Sequence, residues 1–223
     1  MSRKLAFEIS AVVTAAMAAA GAWTYLQLPP GSLVPSHWNA AGQVDGYSGP
    51  WILFLMPALT VGFDLLMAWL ILVEPRRRNL LASAGAYNAL VLGFAALMAV
   101  VQGVMVWSTL RGVRAGDAVG SLVFMAVGLF LVVIGIFLPR IRSNFFMGIR
   151  TPWTLSSERS WERTHRLGAW LFAALGVLIV LAAIVPWTAV FVVTGGVAVL
   201  VVVLGAYSYA VWRNDPFKHM VGR

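Results

Sequence analysis

Cysteine is absent from this chain of 223 residues. Without thiols the protein forms no disulfide bonds, and it lacks thiolate nucleophiles and cysteine ligands for a metal. Charge is scarce as well, because Asp, Glu, Lys and Arg make up 11% of the residues, against about 25% in soluble domains. A chain that is 61% hydrophobic and carries so little charge does not have water as its main solvent.

The apolar residues fall into blocks of about twenty, the length that an α-helix needs to cross a hydrocarbon core of about 30 Å. The blocks predict an all-α polytopic membrane protein, with six transmembrane helices in an up-and-down bundle that forms a single membrane domain, 1–223. Period-two alternation, which a transmembrane barrel requires, is lacking in these blocks. The predicted spans are residues 5–28, 51–73, 80–110, 118–138, 167–185 and 188–212.

The first apolar block has an alternative interpretation as a signal peptide. Arg3 and Lys4 precede it, and it contains the small residues 18–22, as in a signal peptide with its cleavage site. Glu8 interrupts the block, however, and the apolar stretch continues to Leu26. A transmembrane helix is therefore the favoured interpretation.

The net charge of +8 is distributed unevenly between the two sides of the predicted membrane. Arg111 and Arg114 lie on one side. The other fourteen of the 16 basic residues lie on the opposite side: Arg3, Lys4, Arg76, Arg77, Arg78, Arg140, Arg142, Arg150, Arg159, Arg163, Arg166, Arg213, Lys218 and Arg223. Since basic residues concentrate in cytoplasmic segments, both termini and the loop 139–166 are predicted to be cytoplasmic, and the loop 29–50 extracytoplasmic. We therefore expect the lipid bilayer and its anionic headgroups as partners, with no direct nucleic-acid binding.

Two polar residues lie inside predicted spans, Asp64 in the second and Asn88 in the third. Each is about eight or nine residues from the same end, so at 1.5 Å per residue they lie at similar depth. A carboxylate in hydrocarbon costs at least about 2.5 to 3.5 kcal/mol, so we expect Asp64 to face the bundle with Asn88 as its partner. The pair is either the proton-titrating or ion-binding site of a transporter or channel, or a structural hydrogen bond between helices.

The third span carries small residues at a regular spacing. Gly85, Ala89 and Gly93 recur every four residues, which allows another helix to approach this face closely. Chance recurrence in a chain rich in Ala and Gly is the alternative explanation.

The extracytoplasmic loop 29–50 combines turn-forming residues with aromatic residues typical of a membrane interface. We expect Trp38 and Tyr47 to anchor the loop at the lipid surface, where it can meet an extracytoplasmic ligand. A metal bound by His37 and Asp45 is an alternative, although two ligands are too few to indicate one. The candidate contact residues of the loop are His37, Trp38, Asn39, Asp45 and Tyr47.

The cytoplasmic loop 139–166 contains six arginines and ends in an amphipathic pattern. Pro152 disfavours a helix at the residue before it, and Thr154 or Ser156 can cap a helix that begins soon afterwards. This pattern predicts a juxtamembrane amphipathic helix that runs into the fifth span. At 100° per residue its faces hold two neighbouring sets: Glu158, Trp161, Glu162 and His165, then Arg159, Arg163 and Arg166.

The acidic residues of this helix leave three alternatives open. Glu158, Glu162 and His165 could bind a metal in a membrane enzyme, since Glu-x-x-His spacing occurs in carboxylate-bridged metal sites. They could instead form a solvated face with an ion pair between Glu162 and Arg166. The helix could also dock a protein or a lipid headgroup through its arginines. Phosphate-loop, nucleophile-elbow and zinc-protease motifs are lacking, so we expect no enzyme, no catalytic residue and no cofactor.

Both long loops resemble a known family. The cytoplasmic loop resembles the signature of the SdpI family, membrane immunity proteins against a secreted sporulation-delaying toxin. The residues that carry this resemblance are Asn144, Gly148-Ile149-Arg150-Thr151-Pro152-Trp153-Thr154-Leu155, Trp161, Thr164 and His165. The N-terminal membrane domain that is often joined to the family is similar to the first loop at Pro35, His37, Trp38, Asn39, Gly42, Asp45 and Tyr47.

The resemblance implies a multi-pass protein of the bacterial cell membrane that protects against, or senses, a toxic peptide. In the best-known form of the family, signal transduction also holds a cytoplasmic DNA-binding repressor at the membrane. The expected function is therefore immunity and signalling, and a proton-linked transporter or channel using Asp64 and Asn88 is the second candidate. The partner- or ligand-binding residues implied are Asn144, Gly148, Arg150, Thr151, Trp153, Trp161, Thr164 and His165.

The predicted orientation is testable with reporter fusions. Fusions after residue 75, within 139–166 and at the C terminus should report the cytoplasm, because these segments carry the basic residues. Fusions within 29–50 and near Gly116 should report the extracytoplasmic side. An extracytoplasmic signal from a fusion near Arg159 would contradict this topology.

Overall fold

The computed structural model describes residues 1–39, 43–111 and 119–218. In this part of the chain six helices are long and apolar enough to cross a membrane, which confirms the all-α polytopic class. In chain order the elements are α1 (Arg3–Gln27), β1 (Val34–Trp38), β2 (Val44–Ser48), α2 (Leu55–Val73), α3 (Arg77–Ala82), α4 (Ala84–Arg111), α5 (Val119–Phe137), α6 (Pro152–Leu155), α7 (Glu158–Ala182) and α8 (Pro186–Arg213). Short 3₁₀ turns precede α2 at Pro50–Phe54 and follow α5 at Leu138–Arg140.

Capping side chains explain where several helices begin. Ser2 accepts a hydrogen bond from the Leu5 N–H at 3.2 Å at the start of α1. Ser157 does the same for the Ser160 N–H at 2.9 Å, with Glu158 in the first turn of α7, where a negative charge is favoured. The cap predicted at Thr154 or Ser156 is thus wrong, because Ser157 caps α7 and Thr151 caps the short α6.

One helix boundary differs from the apolar pattern, and one junction follows it. The predicted third span is interrupted at Ser83, whose side chain donates to the Asn79 carbonyl and accepts from the Arg142 N–H at 2.9 Å. The long helix therefore begins at Ala84. The predicted amphipathic helix and fifth span are one continuous helix, α7, since no residue between them breaks the helix.

The first loop folds into an antiparallel hairpin, which the sequence analysis did not predict. Val34 lies opposite Ser48 and Trp38 opposite Val44, with irregular pairing in between. Val34 packs with Met105 and with Ile52 and Leu53 of the 3₁₀ turn before α2. The hairpin is therefore held against one end of the helices. Gly42, which was part of the motif in this loop, lies outside the described residues.

The six long helices pack as two groups of three. One group contains α1, α2 and α4, the other contains α5, α7 and α8, and α4 packs on α5 between them. The chain start, the segment 74–88, the segment 138–166 and Asp215 lie together at one end of the helices. We call this the arginine-rich end, and we call the opposite end, which carries β1 and β2, the hairpin end.

Glycine pairs set the closest helix contact, between α5 and α7. A Cβ atom at Gly128 would lie 2.6 Å from the Gly176 carbonyl oxygen, and one at Gly135 would lie 2.7 Å from the Ala169 carbonyl oxygen. Only glycine allows these backbones to touch. The small residues predicted on α4 also face a helix, because a Cβ at Gly93 would lie 2.8 Å from the Phe130 ring of α5.

The glycine contact predicts a specific loss of stability. Gly128→Ala should lower the free energy of unfolding in detergent by about 1–3 kcal/mol, because the added methyl group forces the two backbones apart. Gly103→Ala in α4 is the matched control, since its Cβ would meet nothing within 4 Å, and it should be neutral or slightly stabilising. Equal losses for the two variants would contradict the close crossing of α5 and α7.

Candidate functional site

The buried side chain of Asn144 organises the loop at the arginine-rich end. Its Oδ1 accepts hydrogen bonds from the N–H groups of Phe146 and Met147 at 2.9 and 2.6 Å. Its Nδ2 donates to the carbonyls of Arg142 and Met147 at 2.8 and 3.2 Å. Both amide atoms are thus satisfied by loop backbone, so Asn144 fixes the path of the chain from the end of α5 toward α6.

His165 holds the next part of the loop against α7. Its Nε2 accepts from the Ile149 N–H at 3.0 Å, and its Nδ1 donates to the Trp161 carbonyl at 2.8 Å. The backbone N–H makes Nε2 an acceptor, which defines a neutral ring with its proton on Nδ1. The Trp161 ring stacks on the imidazole at 4.1 Å and donates to the Ile141 carbonyl at 2.8 Å. Both ring nitrogens of His165 are therefore occupied by the fold.

The contact between the loop and His165 requires a glycine at position 148. Its φ is +102°, in the region that side chains avoid. A Cβ atom there would also collide with Nε2 of His165. Glycine therefore satisfies two demands of the loop, its backbone conformation and the close approach of the imidazole.

Hydroxyl groups tie the loop to α8. Thr154 donates to the Ile149 carbonyl at 2.8 Å, and Thr151 donates to Ser208 at 3.1 Å. Ser160 of α7 donates to the Ser208 carbonyl at 2.8 Å. Thr151, Thr154 and Ser208 therefore join α6, α7 and α8 into one packed unit.

Two residues after α2 join the loop to the other helix group, and the sequence analysis missed them. Glu74 is buried and accepts from the Arg76 N–H at 2.8 Å and from the Phe145 N–H at 3.0 Å. The Arg76 guanidinium donates to Ser143 and to the Leu155 carbonyl and lies over the Phe145 ring. The sequence signal that could have identified this site is Glu74, an acid directly after the apolar span, followed by Pro75, which favours a turn.

The segment after α8 is fastened to the same unit through Asp215. Ser157 donates to Asp215 at 2.5 Å, and the Phe217 N–H donates to it at 3.0 Å. Burial raises the pKa of this carboxyl group, but these hydrogen bonds and the nearby positive charges of Arg159 and Lys218 outweigh burial and lower the pKa below its usual value. Asp215 is thus held as a carboxylate.

The predicted partner-binding residues divide into two sets. Asn144, Trp161, Thr164 and His165 are at most 2% exposed, so a partner cannot contact them while the loop keeps this structure. Gly148 and Arg150 are exposed, and Thr151 and Trp153 are partly exposed. The binding role of the accessible set stays a prediction. Four further arginines of the segment 138–166 are exposed: Arg142, Arg159, Arg163 and Arg166.

The metal alternatives are not supported by the geometry. Glu158 and Glu162 are exposed on α7, whereas His165 is buried and uses both nitrogens within the fold. Among the residues that the structure describes, no three His, Asp or Glu side chains group as metal ligands.

At the hairpin end, His37 and Asp45 pair with each other across the strands at 2.5 Å, and both are substantially exposed. A crevice of about 220 Å³ separates the hairpin from the second helix group. His37, Trp38 and Asn39 line one wall, and Phe124 of α5 and Val190 of α8 line the other. Tyr47, on the second strand of the hairpin, is 59% exposed. The crevice therefore lies between the hairpin and the second helix group.

The predicted hydrogen bond between Asp64 and Asn88 is wrong. Asp64 accepts from the Ser10 hydroxyl at 2.7 Å, and Asn88 donates to the Met1 carbonyl at 3.0 Å. Depth along the helices was the basis of the prediction, but depth does not fix the rotation of each side chain about its helix axis. Both residues nevertheless lie within the same group of α1, α2 and α4.

An apolar cavity of about 380 Å³ lies directly beneath the loop. Met67 of α2, Leu90 of α4 and Phe172 of α7 contribute to its walls, and Met147 and Ile149 of the loop cover it. Ile141 and Met147 of the loop also pack in the buried cluster with Met67 and Trp161, so the loop is held by apolar contacts as well as by its hydrogen bonds, with the cavity beside this cluster.

The fold defines a polytopic membrane protein with a long, internally hydrogen-bonded loop between α5 and α7. Residues 140–208 match the model of the SdpI/YfhL protein family, and residues 12–61 match a domain of unknown function, DUF1648. Among curated proteins, the chain is 24% identical to the immunity protein SdpI of Bacillus subtilis (strain 168), over 66% of this chain and 67% of that protein. No solved structure matches the chain significantly. These matches confirm the resemblance to the SdpI family.

The division between buried and accessible residues predicts opposite effects of two substitutions. Asn144→Ala leaves two buried backbone N–H groups without an acceptor, so it should cost about 1–3 kcal/mol per group and lower both thermal stability and membrane abundance. Arg150→Ala removes an exposed side chain whose hydrogen bond to the Phe145 carbonyl faces solvent, and its melting temperature should stay near that of the wild type. A stable Asn144→Ala variant would contradict the role assigned to this amide.

Proposed function

We propose that this protein is an SdpI-like immunity protein that protects a bacterial cell against a secreted toxic peptide through binding rather than catalysis. The observation that carries the proposal is the similarity to an immunity protein over two thirds of the chain, together with a family match over residues 140–208. This match includes the loop network from Asn144 to Ser208. The residues that carry the resemblance therefore support one contiguous structure.

In this proposal the protein lies in the bacterial cytoplasmic membrane with its arginine-rich end inside. The exposed arginines at that end support the orientation, because basic residues concentrate on the cytoplasmic side. Both chain ends are then cytoplasmic, and the hairpin faces the toxin.

The hairpin end is the proposed contact site for the peptide. Its crevice combines the Trp38 ring with apolar side chains of α5 and α8, and the exposed Tyr47 ring lies on the same hairpin. Aromatic side chains next to an apolar groove are typical anchors for a bound chain. A peptide in this crevice would contact the second helix group and the hairpin, which packs on α4 of the first group, so its binding energy would favour one position of the hairpin relative to α5 and α8.

The arginine-rich end is the proposed signalling surface. Glu74 and Arg76 connect the loop to the first helix group, and Thr151 and Ser208 connect it to the second. A change in the relative position of the two helix groups would therefore move the loop. The cavity beneath the loop leaves room for that movement. The exposed Arg150 would then present its charge to an acidic surface on a cytoplasmic repressor.

Survival assays test the proposal. Sensitive cells that produce the protein should survive candidate secreted toxic peptides that kill cells without it. Tyr47→Ala should weaken peptide binding about tenfold, which corresponds to about 1.4 kcal/mol, and should reduce protection at unchanged abundance. Leu33→Ala is the control, because Leu33 is 65% exposed just before the same hairpin but, unlike Tyr47, belongs to neither of its strands.

The same cells can be used to test protection and signalling independently. Arg150→Ala should keep protection, because the hairpin end is unchanged, but should lose capture of the repressor by the membrane. Equal survival with and without the protein against every candidate peptide would overturn the immunity proposal. Normal repressor capture by a well-folded Arg150→Ala variant would overturn the signalling surface.

A further inference from the structure

In the described part of the chain, six side chains of the first helix group each keep one buried polar atom without a hydrogen-bond partner. Gln102 and Ser108 lie toward the hairpin end of α4, and the other four are grouped further from that end. Those four atoms are Nη1 of Arg3, Oδ1 of Asp64, the hydroxyl of Tyr87 and Oδ1 of Asn88. An unsatisfied buried polar group costs about 1–3 kcal/mol. Four such atoms grouped together indicate that something outside the polypeptide completes their hydrogen bonds.

The four side chains belong to one polar cluster between α1, α2 and α4. Tyr87 is close enough to Arg3 and Asp64 to interact electrostatically with both. Asp64 is bonded to Ser10 of α1, and Asn88 is bonded to the first residue of the chain. The cluster therefore extends from inside the membrane helices to the arginine-rich end, where α1 begins.

The mixture of donors and acceptors indicates what occupies the cluster. Arg3 and Tyr87 offer donors, whereas Asp64 and Asn88 offer acceptors. A metal cation would satisfy only the acceptors and would be repelled by the Arg3 guanidinium. An anion would satisfy only the donors and would be repelled by a carboxylate. Water donates and accepts, and buried water typically makes about three hydrogen bonds to such groups.

We propose that bound water fills this cluster and connects Asp64 with the aqueous phase at the arginine-rich end, which makes Asp64 a proton-exchanging site within the membrane. A proton passes from a hydronium ion in this water to the Asp64 carboxylate and leaves a water molecule behind. Release is the reverse step. The ligands of the site are water and a proton, and the site does not depend on the proposed immunity function.

The surroundings of Asp64 are polar on one side and apolar on the other. From the helices packed on α2, Tyr87 of α4 interacts electrostatically with Asp64, and Arg3 of α1 interacts with Tyr87. Lys4 and Glu8 pair with each other on the exposed face of α1. Asp64 also borders an apolar groove that Phe7, Ala11, Val61 and Leu65 line. A lipid-soluble reagent can therefore approach the carboxyl group from the groove.

The chain contains a matched pair of aromatic residues for detecting the water. Tyr87 and Trp161 are each 1% exposed, but Trp161 has its hydrogen bond inside the protein. Brief X-ray irradiation converts bound water into hydroxyl radicals, which oxidise neighbouring aromatic rings. Mass spectrometry should find Tyr87 oxidised several times faster than Trp161, and Asn88→Leu, which removes an acceptor and fills space, should reduce that difference. Equally slow oxidation of the two wild-type residues would overturn the hydrated cluster.

Proton exchange requires a second measurement on the same protein. Dicyclohexylcarbodiimide, a lipid-soluble reagent, modifies a carboxyl group only in its neutral form. It should label Asp64 in proteoliposomes, the labelled fraction should fall as the pH rises, and Asp64→Asn should abolish the adduct. Absence of Asp64 labelling from mildly acidic to mildly alkaline pH would overturn the proton site. Toxin survival is not used in either measurement, so their outcome is separate from that of the immunity proposal.

Discussion

Backbone that leaves a helix near the membrane must find its hydrogen-bond partners within the protein, because lipid supplies none. The loop between α5 and α7 depends on this constraint. Asn144 accepts hydrogen bonds from the backbone N–H groups of Phe146 and Met147. At Ile149, the backbone N–H donates to His165 and the carbonyl accepts from Thr154. Three of the residues that carry the family resemblance, Asn144, Thr154 and His165, thus serve the loop backbone from inside the protein, whereas Gly148, Arg150 and Pro152 are exposed.

The apolar pattern predicted the number and class of the long helices, since the length of an apolar run is a local property. It did not predict the break at Ser83, which depends on a backbone N–H of a residue 59 positions later. The crossing of α5 and α7 was missed for the same reason. Gly128 and Gly176 are each unremarkable in an apolar segment, and only their apposition gives them a role.

The candidate site was predictable in its residues but less so in their roles. Asn144, His165 and Gly148 were identified from the resemblance, yet a motif does not state which side chains point inward. Glu74 and Arg76 were missed because their partners, Phe145 and Leu155, lie far along the chain. Asp64 was identified from the cost of a carboxylate in hydrocarbon, whereas its partner Ser10 is a small hydroxyl of a kind that is frequent in membrane helices.

The crevice beside the hairpin and the cavity beneath the loop lie at opposite ends of the molecule. The crevice at the hairpin end separates the hairpin from α5 and α8, and the cavity at the other end separates α2 and α4 from α5 and α7. Between them the groups meet where α4 packs on α5. If the two groups tilted about this contact, the crevice at one end and the cavity under Met147 and Ile149 at the other end would change in opposite directions.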